Sequence, residues 1–404
     1  YLRNSGDDLP YTMIRDGMIS SLIRDDVSNS VQAYRPTVLY LNGDYWGIYN
    51  LREKLDNQYF SLHYNTSQAD LDHLESDNTV IEGDATDYVQ LLQFAGTNDL
   101  SDPTNYAHVD SLVDIRNLMD FVIVQSYLAN QSWSHNREVW RDRGGENKWR
   151  WVLVDMDRGF NTSRISTNQI NDIYSNFELF RYLTSNSSFK NEFVQRFSER
   201  VNSTFAVDRV VSLIDSLQAQ IAPEMPRQIE RWGHYIDSLS INDWGNYTGV
   251  PSMDSWNSEV QKFRTFAEQR PPNALGHLAN QFGLGGRSTL TITSNIDNQG
   301  KVDINGFFKD IGVSGTYFDG VPIPLTAFAP PGFVFKSWKL LGANNVDVVL
   351  PRTSNWKYYD EATVPANWNS KSFDDTSWKS GNGILGYGDN QTTKIGYGGN
   401  DQNK

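Results

Sequence analysis

The sequence predicts an α+β fold followed by small all-β units, and three observations carry that prediction. Residues 1 to about 282 alternate β-rich runs with stretches of helical apolar spacing. The cluster Gly283-Leu284-Gly285-Gly286 then reads as a linker. Beyond it the chain alternates without a helical period. At 404 residues the chain is long for one domain, and three units are expected, over 1–282, 287–345 and 350–404.

The first β-rich run is Thr37 to Leu41. Asn42-Gly43 is a hairpin signal because both residues tolerate positive φ, and Tyr45 to Leu51 is the returning strand. Asp110 to Leu128 carries apolar residues at helical spacing and reads as one helix. Trp149 to Val154 is a buried strand candidate that ends at Asp155. Phe189 to Val201 and Val207 to Ile221 are amphipathic helices. Trp256 to Arg270 is a further helix, with Pro271-Pro272 as its stop. Short runs at 289–293, 300–306, 315–320, 323–327 and 332–338, separated by Gly and Pro, predict a small β-sandwich. The stretch from 350, with Phe373 to Trp378, reads as the opening of another sandwich.

Composition excludes several functions. With 49 acids against 35 bases the net charge is −14, so nucleic acid is not an expected partner; phosphate neutralisation needs clustered Lys and Arg. No apolar run reaches the roughly 18 residues of a membrane span. Cysteine is absent, which removes disulfides and thiolate chemistry. The six His are scattered without metalloprotease spacing. No Gly-rich phosphate loop and no nucleophile elbow occurs. Tyr1 is not Met and no leader precedes it, so the chain reads as a segment of a longer protein.

Two segments carry chemistry. Asp155-Met156-Asp157 follows a hydrophobic strand directly, and two carboxylates at i and i+2 suit a hard divalent cation. A turn capped by acids is the structural alternative. About 20 residues upstream, Asn130 to Asn136 is a polar loop that could position an acceptor or lend Asn136 to a metal. It could equally be a surface loop, with His135 a structural residue. Arg15-Asp16 and Arg52-Glu53-Lys54 read as surface ion pairs, which contribute little each.

Taken together, Arg3-Asn4-Ser5-Gly6-Asp7, Arg15-Asp16, Leu41 to Tyr49, Arg52 to Asp56, Trp149 to Asp157 and Phe266 to Pro271 resemble the CotH kinase family, the spore coat protein H group of atypical, secreted-type protein kinases. The resemblance covers residues 1–282. It implies an atypical protein-kinase-like fold whose N-terminal part is truncated here. It implies ATP with Mg²⁺ or Mn²⁺, and phosphorylation of Ser or Thr on a protein substrate or on the chain itself. In that picture Asp155, Asn136 and Asp157 hold metal, and Arg3 and Glu53 lie near the phosphates.

Family members usually read Asn-x-Asp-Trp-Pro-x-Asn-Asn where this chain reads Asn130 to Arg137. Ser132 therefore takes the position of the aspartate that orients the acceptor hydroxyl, and Arg137 replaces the second Asn. A Ser hydroxyl is a poor base. His135 is the nearest substitute. Weak kinase activity, or a pseudokinase that still binds nucleotide, is the expectation. The units after 287 are similar to β domains of bacterial surface proteins, and the last to galactose-binding-like sandwiches. These imply an extracellular or cell-surface bacterial protein. The alternative is a non-catalytic surface protein that binds carbohydrate or protein through exposed aromatics such as Trp133, Trp356 and Trp368.

Overall fold

The computed structural model describes residues 1–76, 79–233, 249–341, 355–361, 363, 365, 367–368, 373–383, 385–386 and 393–394. The chain forms two compact units. The first comprises Tyr1–Asn298 with Val302–Thr326, and the second Gln299–Lys301 with Ala327–Lys404.

The strands of the first unit are β1 (Leu2–Arg3), β2 (Ser30–Val31), β3 (Tyr34–Leu41), β4 (Asp44–Arg52), β5 (Leu71–Glu75), β6 (Thr79–Glu82), β7 (Glu138–Asp142), β8 (Arg150–Leu153), β9 (Arg287–Thr291), β10 (Lys301–Ile304, whose first residue falls in the second unit), β11 (Phe307–Asp310) and β12 (Ser314–Phe318). Its helices are α1 (Arg15–Ile23), α2 (Asn57–Tyr64), α3 (Thr86–Thr97), α4 (Pro103–Leu112), α5 (Ile115–Leu128), α6 (Gln169–Asn176), α7 (Glu178–Leu183), α8 (Ser187–Asn202), α9 (Val207–Ile221), α10 (Met225–Trp232) and α11 (Met253–Phe282). The mixture is α+β, as the sequence predicts.

Two sheets frame the unit. One runs β1-β4-β3, and the other β2-β8-β7-β5-β6. The β3–β4 hairpin turns at Asn42-Gly43, both at positive φ, and pairs Leu41 with Asp44. In the larger sheet Trp151, Val152 and Leu153 of β8 are buried, because β8 sits between β2 and β7 and is covered by α5.

Three predicted boundaries are corrected. The stretch 110–128 is two helices, since Val113 leaves the helix to bridge Trp149, and Asp114 caps α5 by accepting the Asn117 N–H at 3.1 Å. The helix from Trp256 does not stop at Pro271-Pro272 but continues to Phe282. Two backbone donors are lost there, yet Phe263, Phe266, Ala267, Ala274, Leu275 and Leu278 are buried on both sides of the prolines. Arg270 is 1% exposed and donates to the carbonyls of Ser126, Tyr127, Ile165 and Thr167 at 2.6 to 3.0 Å, which anchors the helix at the break. Finally, 332–338 forms no strand; Val334 is 88% exposed, so no buried face selects the extended pairing.

Beyond α11 the chain packs back on α8. Asp120 of α5 is fully buried and is gripped by Arg196 and Arg200, each through two N–H bonds of 2.6 to 3.1 Å. Phe307 of β11 lies against both guanidinium groups, at 4.9 and 4.7 Å. Glu199 meets Tyr317 and Lys309. The buried charges of α8 thus hold the strands that follow it.

In the second unit, Asn355–Tyr358 pairs antiparallel with Lys379–Asn382, and Leu385–Gly386 pairs parallel with Thr393–Lys394. Much of the sandwich expected over 350–404, including Tyr387 and Gly388, lies outside the described residues.

Removing Asp120 leaves two guanidinium groups buried without their carboxylate. Asp120→Ala is expected to cost about 3–5 kcal/mol, the usual penalty for breaking a buried ion pair from one side. A urea denaturation midpoint unchanged from the native value would refute this.

Candidate functional site

The site begins where β8 ends. The strand is fixed by burial, and the chain leaves it at Asp155 in the left-handed region (φ 50°). That conformation is unfavourable for most residues, and Asp is one of the few that adopt it. Two neighbours hold it. The Asn136 amide Nδ2 donates to the Asp155 carbonyl at 3.3 Å and to its Oδ2 at 3.1 Å. The next N–H, of Met156, donates to Asp16 Oδ1 at 3.3 Å. Asn136 and Asp155, expected as metal ligands, thus lie together in space across 19 residues.

Arg3 bridges the acid pair. Its Nη2 meets Asp155 Oδ1 and lies 2.8 Å from Asp157 Oδ2. Its Nη1 lies 3.5 Å from Asp16 Oδ2, and Arg52 Nη1 lies 2.8 Å from the same oxygen. Gly6 makes the approach possible. It sits at φ 58°, and a Cβ there would collide with Asp157 Oδ2 and lie 2.7 Å from Arg3 Nη2. Burial opposes the charge on Arg3, yet the carboxylates of Asp16, Asp155 and Asp157 raise its pKa above the ordinary arginine value.

The two acids differ in access. The Asp157 side chain is 5% exposed and that of Asp155 is 39% exposed. Burial, and then the charge of Asp155, push the Asp157 carboxyl up to about 7, against the pull of Arg3. Asp155 is therefore the open carboxylate, and Asp157 the enclosed one behind it.

The loop of residues 130–137 follows the left-handed cap of α5 at Ala129. Ser132 is 2% exposed, and both its N–H and its hydroxyl donate to Asn130 Oδ1, at 3.2 and 3.1 Å. Its hydroxyl is thus turned inward. Trp133, expected as an exposed aromatic, is 2% exposed and donates from Nε1 to Asp172 Oδ2 at 2.7 Å. His135 is exposed, and its carbonyl accepts from Ser76. Arg137 stacks on Trp133 and Phe177.

Glu53, expected near phosphate, accepts the Ala33 N–H at 2.8 Å and meets His63 at 2.7 Å. Its neighbour Arg52 reaches the acid cluster instead, as strand alternation requires. Arg15 and Asp16, read as surface charges, are buried. Arg15 pairs with Asp8 at 3.1 Å and donates to the carbonyls of Gly159 and Phe160, fixing the loop after the acid pair. Asp16, Arg52 and Gly6 are the residues that sequence reasoning passed over. The signal available was Arg-Asp inside an apolar helix, which argues for pairing rather than for a solvated face.

A cleft of about 530 Å³ opens beside this cluster, lined by Asn4, Gly6, Asp7, Trp46, Tyr49 and Trp232 among others. It adjoins the acid pair directly, since the Asp7 N–H donates to Asp157 Oδ2 at 3.1 Å. Its aromatic wall is braced by contacts of its own. Trp46 and Trp232 meet edge-on at 5.4 Å, Trp232 Nε1 donates to the Trp46 carbonyl at 2.6 Å, and Gln228 Oε1 accepts the Ile48 N–H at 2.8 Å. The Arg231 guanidinium lies over both indoles.

The donor set is all oxygen: two carboxylates, plus the Asn136 amide if it turns to present Oδ1. Such a set fits Mg²⁺ or Mn²⁺ bound partly through phosphate, and not a self-sufficient metal cage. No group of three or more His, Cys, Asp or Glu is gathered as a metal centre among the described residues. No helix among them is long and apolar enough to cross a membrane.

A family model described as CotH kinase protein matches residues 1–273, which is the part of the chain that builds this site. No protein of curated function matches the chain.

The raised pKa of Asp157 has a definite sign. Between 3.8 and about 7 the folded protein keeps a proton that the unfolded chain has released. Stability therefore falls as pH rises through that window. Urea midpoints taken across it without divalent cations should show this slope, and Asp157→Asn should flatten it. An unchanged slope in the variant would contradict the assignment.

Proposed function

The chain belongs to the CotH kinase family, and we propose that it binds ATP with Mg²⁺ or Mn²⁺ and transfers the phosphoryl group weakly to a Ser or Thr hydroxyl. The acceptor is a protein or the chain itself. The observation that supports this best is the open Asp155 carboxylate, held by Asn136 at the end of a buried strand and next to a cleft with an aromatic wall.

The bound nucleotide and its metal supply the transferable phosphoryl group and the positive charge that stabilises it. The protein's part is positioning and electrostatics, which dominate this class of reaction. Trp46, Tyr49 and Trp232 offer flat faces for a base. Asn4 and Asp7 connect that wall to the acid pair. Asp155 and Asn136 offer the metal ligands, and Asp157 supports the loop from behind. The weak link is the acceptor side, where Ser132 carries no charge and is bonded to Asn130. His135 is exposed at the same loop and is the remaining proton acceptor there.

A second reading keeps support from the C-terminal unit. Trp356 and Trp368 are 41% and 55% exposed, as an extracellular or cell-surface bacterial protein that binds carbohydrate would require. Trp133 no longer contributes to it, being buried.

Intact mass after incubation with Mg-ATP tests the kinase reading. Slow phosphate gain is expected for the native protein and none for Asp155→Ala. Ser132→Asp is expected to gain phosphate faster, on the order of 10²-fold, the lower end of what a positioned base contributes. No gain in any of the three would remove the kinase reading and bring the binding reading forward.

The aromatic wall has its own test. Trp232→Ala should weaken binding of a non-hydrolysable ATP analogue, measured by calorimetry, by roughly 5- to 150-fold, the equivalent of about 1–3 kcal/mol of base stacking. Unchanged affinity would place the base elsewhere.

A further inference from the structure

Protein kinases commonly hold two divalent cations, one on the aspartate at the strand end and one shared with the loop asparagine. The arrangement here departs from that pattern at one residue. The Arg3 guanidinium already lies between the two carboxylates, taking Oδ1 of Asp155 and Oδ2 of Asp157 with a single nitrogen. Its other terminal nitrogen faces Asp16. We propose that Arg3 is the second cation of this site, so that the chain takes one divalent metal ion, on the Asp155 Oδ2 and Asn136 side, rather than two.

Three features support this. The first is position. The Asp155 oxygen left over, Oδ2, is the one that faces Asn136, and the Asp155 side chain is the exposed member of the pair. A metal ion can reach that oxygen without moving Arg3. The second is charge. Asp16 and Asp155 balance the guanidinium groups of Arg3 and Arg52, and the enclosed Asp157 adds at most one negative charge. One divalent ion outweighs that charge. A second would add repulsion against two fixed guanidinium groups a few ångströms away. The third is construction. Gly6 leaves the space that Arg3 and Asp157 share, Arg3 enters from the short strand β1, and Arg52 stands on the adjacent β4 with Asp16 between them. Arg3 is therefore held by backbone pairing on one side and by three carboxylates on the other. Its sequence position suggested a phosphate contact; its geometry makes it a counter-ion of the acid pair.

The inference rests on the phosphoryl-transfer reading in naming the metal class and the phosphate that completes its shell, and its test reads metal, not activity. Equilibrium dialysis against Mn²⁺ with a saturating non-hydrolysable ATP analogue, with Asp155→Asn to define the site-dependent count, should give one Mn²⁺ per native chain. Arg3→Gln should give two, and Arg3→Lys, which keeps the charge, one. Two Asp155-dependent ions on the native chain would overturn the proposal, as would a count of one in Arg3→Gln with native-like thermal melting. If Arg3→Gln fails to melt cooperatively, the native count decides alone: one supports the proposal and two overturns it. A native count of zero overturns it as well, and differs from the other failures in removing the metal-dependent kinase reading at the same time.

Discussion

The ion cluster around Asp16 is the constraint on which the rest of the site depends. One carboxylate on α1 joins Arg3 from β1, Arg52 from β4 and the backbone after Asp155. These elements come from opposite ends of the first 160 residues, and no hydrophobic contact alone would set them to within hydrogen-bond tolerance. Buried charges cost desolvation, so such a cluster is poor evidence of added stability. What it provides is register. Any slip of α1 or of β1 would strand a buried charge, so the competing arrangements are excluded steeply.

Arginine does a second job throughout this unit, on backbone carbonyls rather than on carboxylates. Arg15 holds the carbonyls of Gly159 and Phe160, Arg164 takes that of Ala129, and Arg270 takes those of Ser126 and Tyr127 at the end of α5 and those of Ile165 and Thr167. The C-terminal carbonyls of a helix have no partners within the helix. A guanidinium with five donors satisfies several of them at once and adds charge at the negative end of the helix dipole. Loop 130–137 leaves the anchored end of α5, and loop 155–160 ends at the two carbonyls that Arg15 holds. Their positions are therefore set by residues distant in sequence, and α11 matters to the site through Arg270 although it contributes no group to the chemistry.

This explains what the sequence could and could not say. The β3–β4 hairpin, β8, α8 and α9 are local: their patterns are read within one window, and the structure places them where the patterns point. The pair Asp155 and Asn136 was also legible, because strand-end acids and a preceding polar loop are ordered features of the chain. Arg52 and Glu53 were not separable, since which of two adjacent residues faces inward is decided by pairing with β3 and not by composition. Arg15 and Asp16 looked solvated because charge is usually outside, and only the fold shows their partners. The prolines at 271 and 272 overstated their effect, since local helix cost was outweighed by apolar contacts on both sides.

The segment Asn4 to Asp8 makes the two halves of the site one device. Asn4, Gly6 and Asp7 line the cleft, the Asp7 N–H holds Asp157, and Asp8 holds Arg15 and through it the loop at 159–160. Three of these five residues thus line the cleft that would receive a base, and one of them, Asp7, also holds a carboxylate of the acid pair. Gly6 is the joint, because its positive φ turns the chain while its missing Cβ admits Arg3 to Asp157. A ligand that shifts Asp7 would alter the Asp157 hydrogen bond, and a change at Asp157 would reach Asp7. Reciprocity of this kind is required wherever two sites share a contact. Were the cleft and the acid pair both occupied, the Asp7 N–H bond to Asp157 would connect them without a separate moving lid.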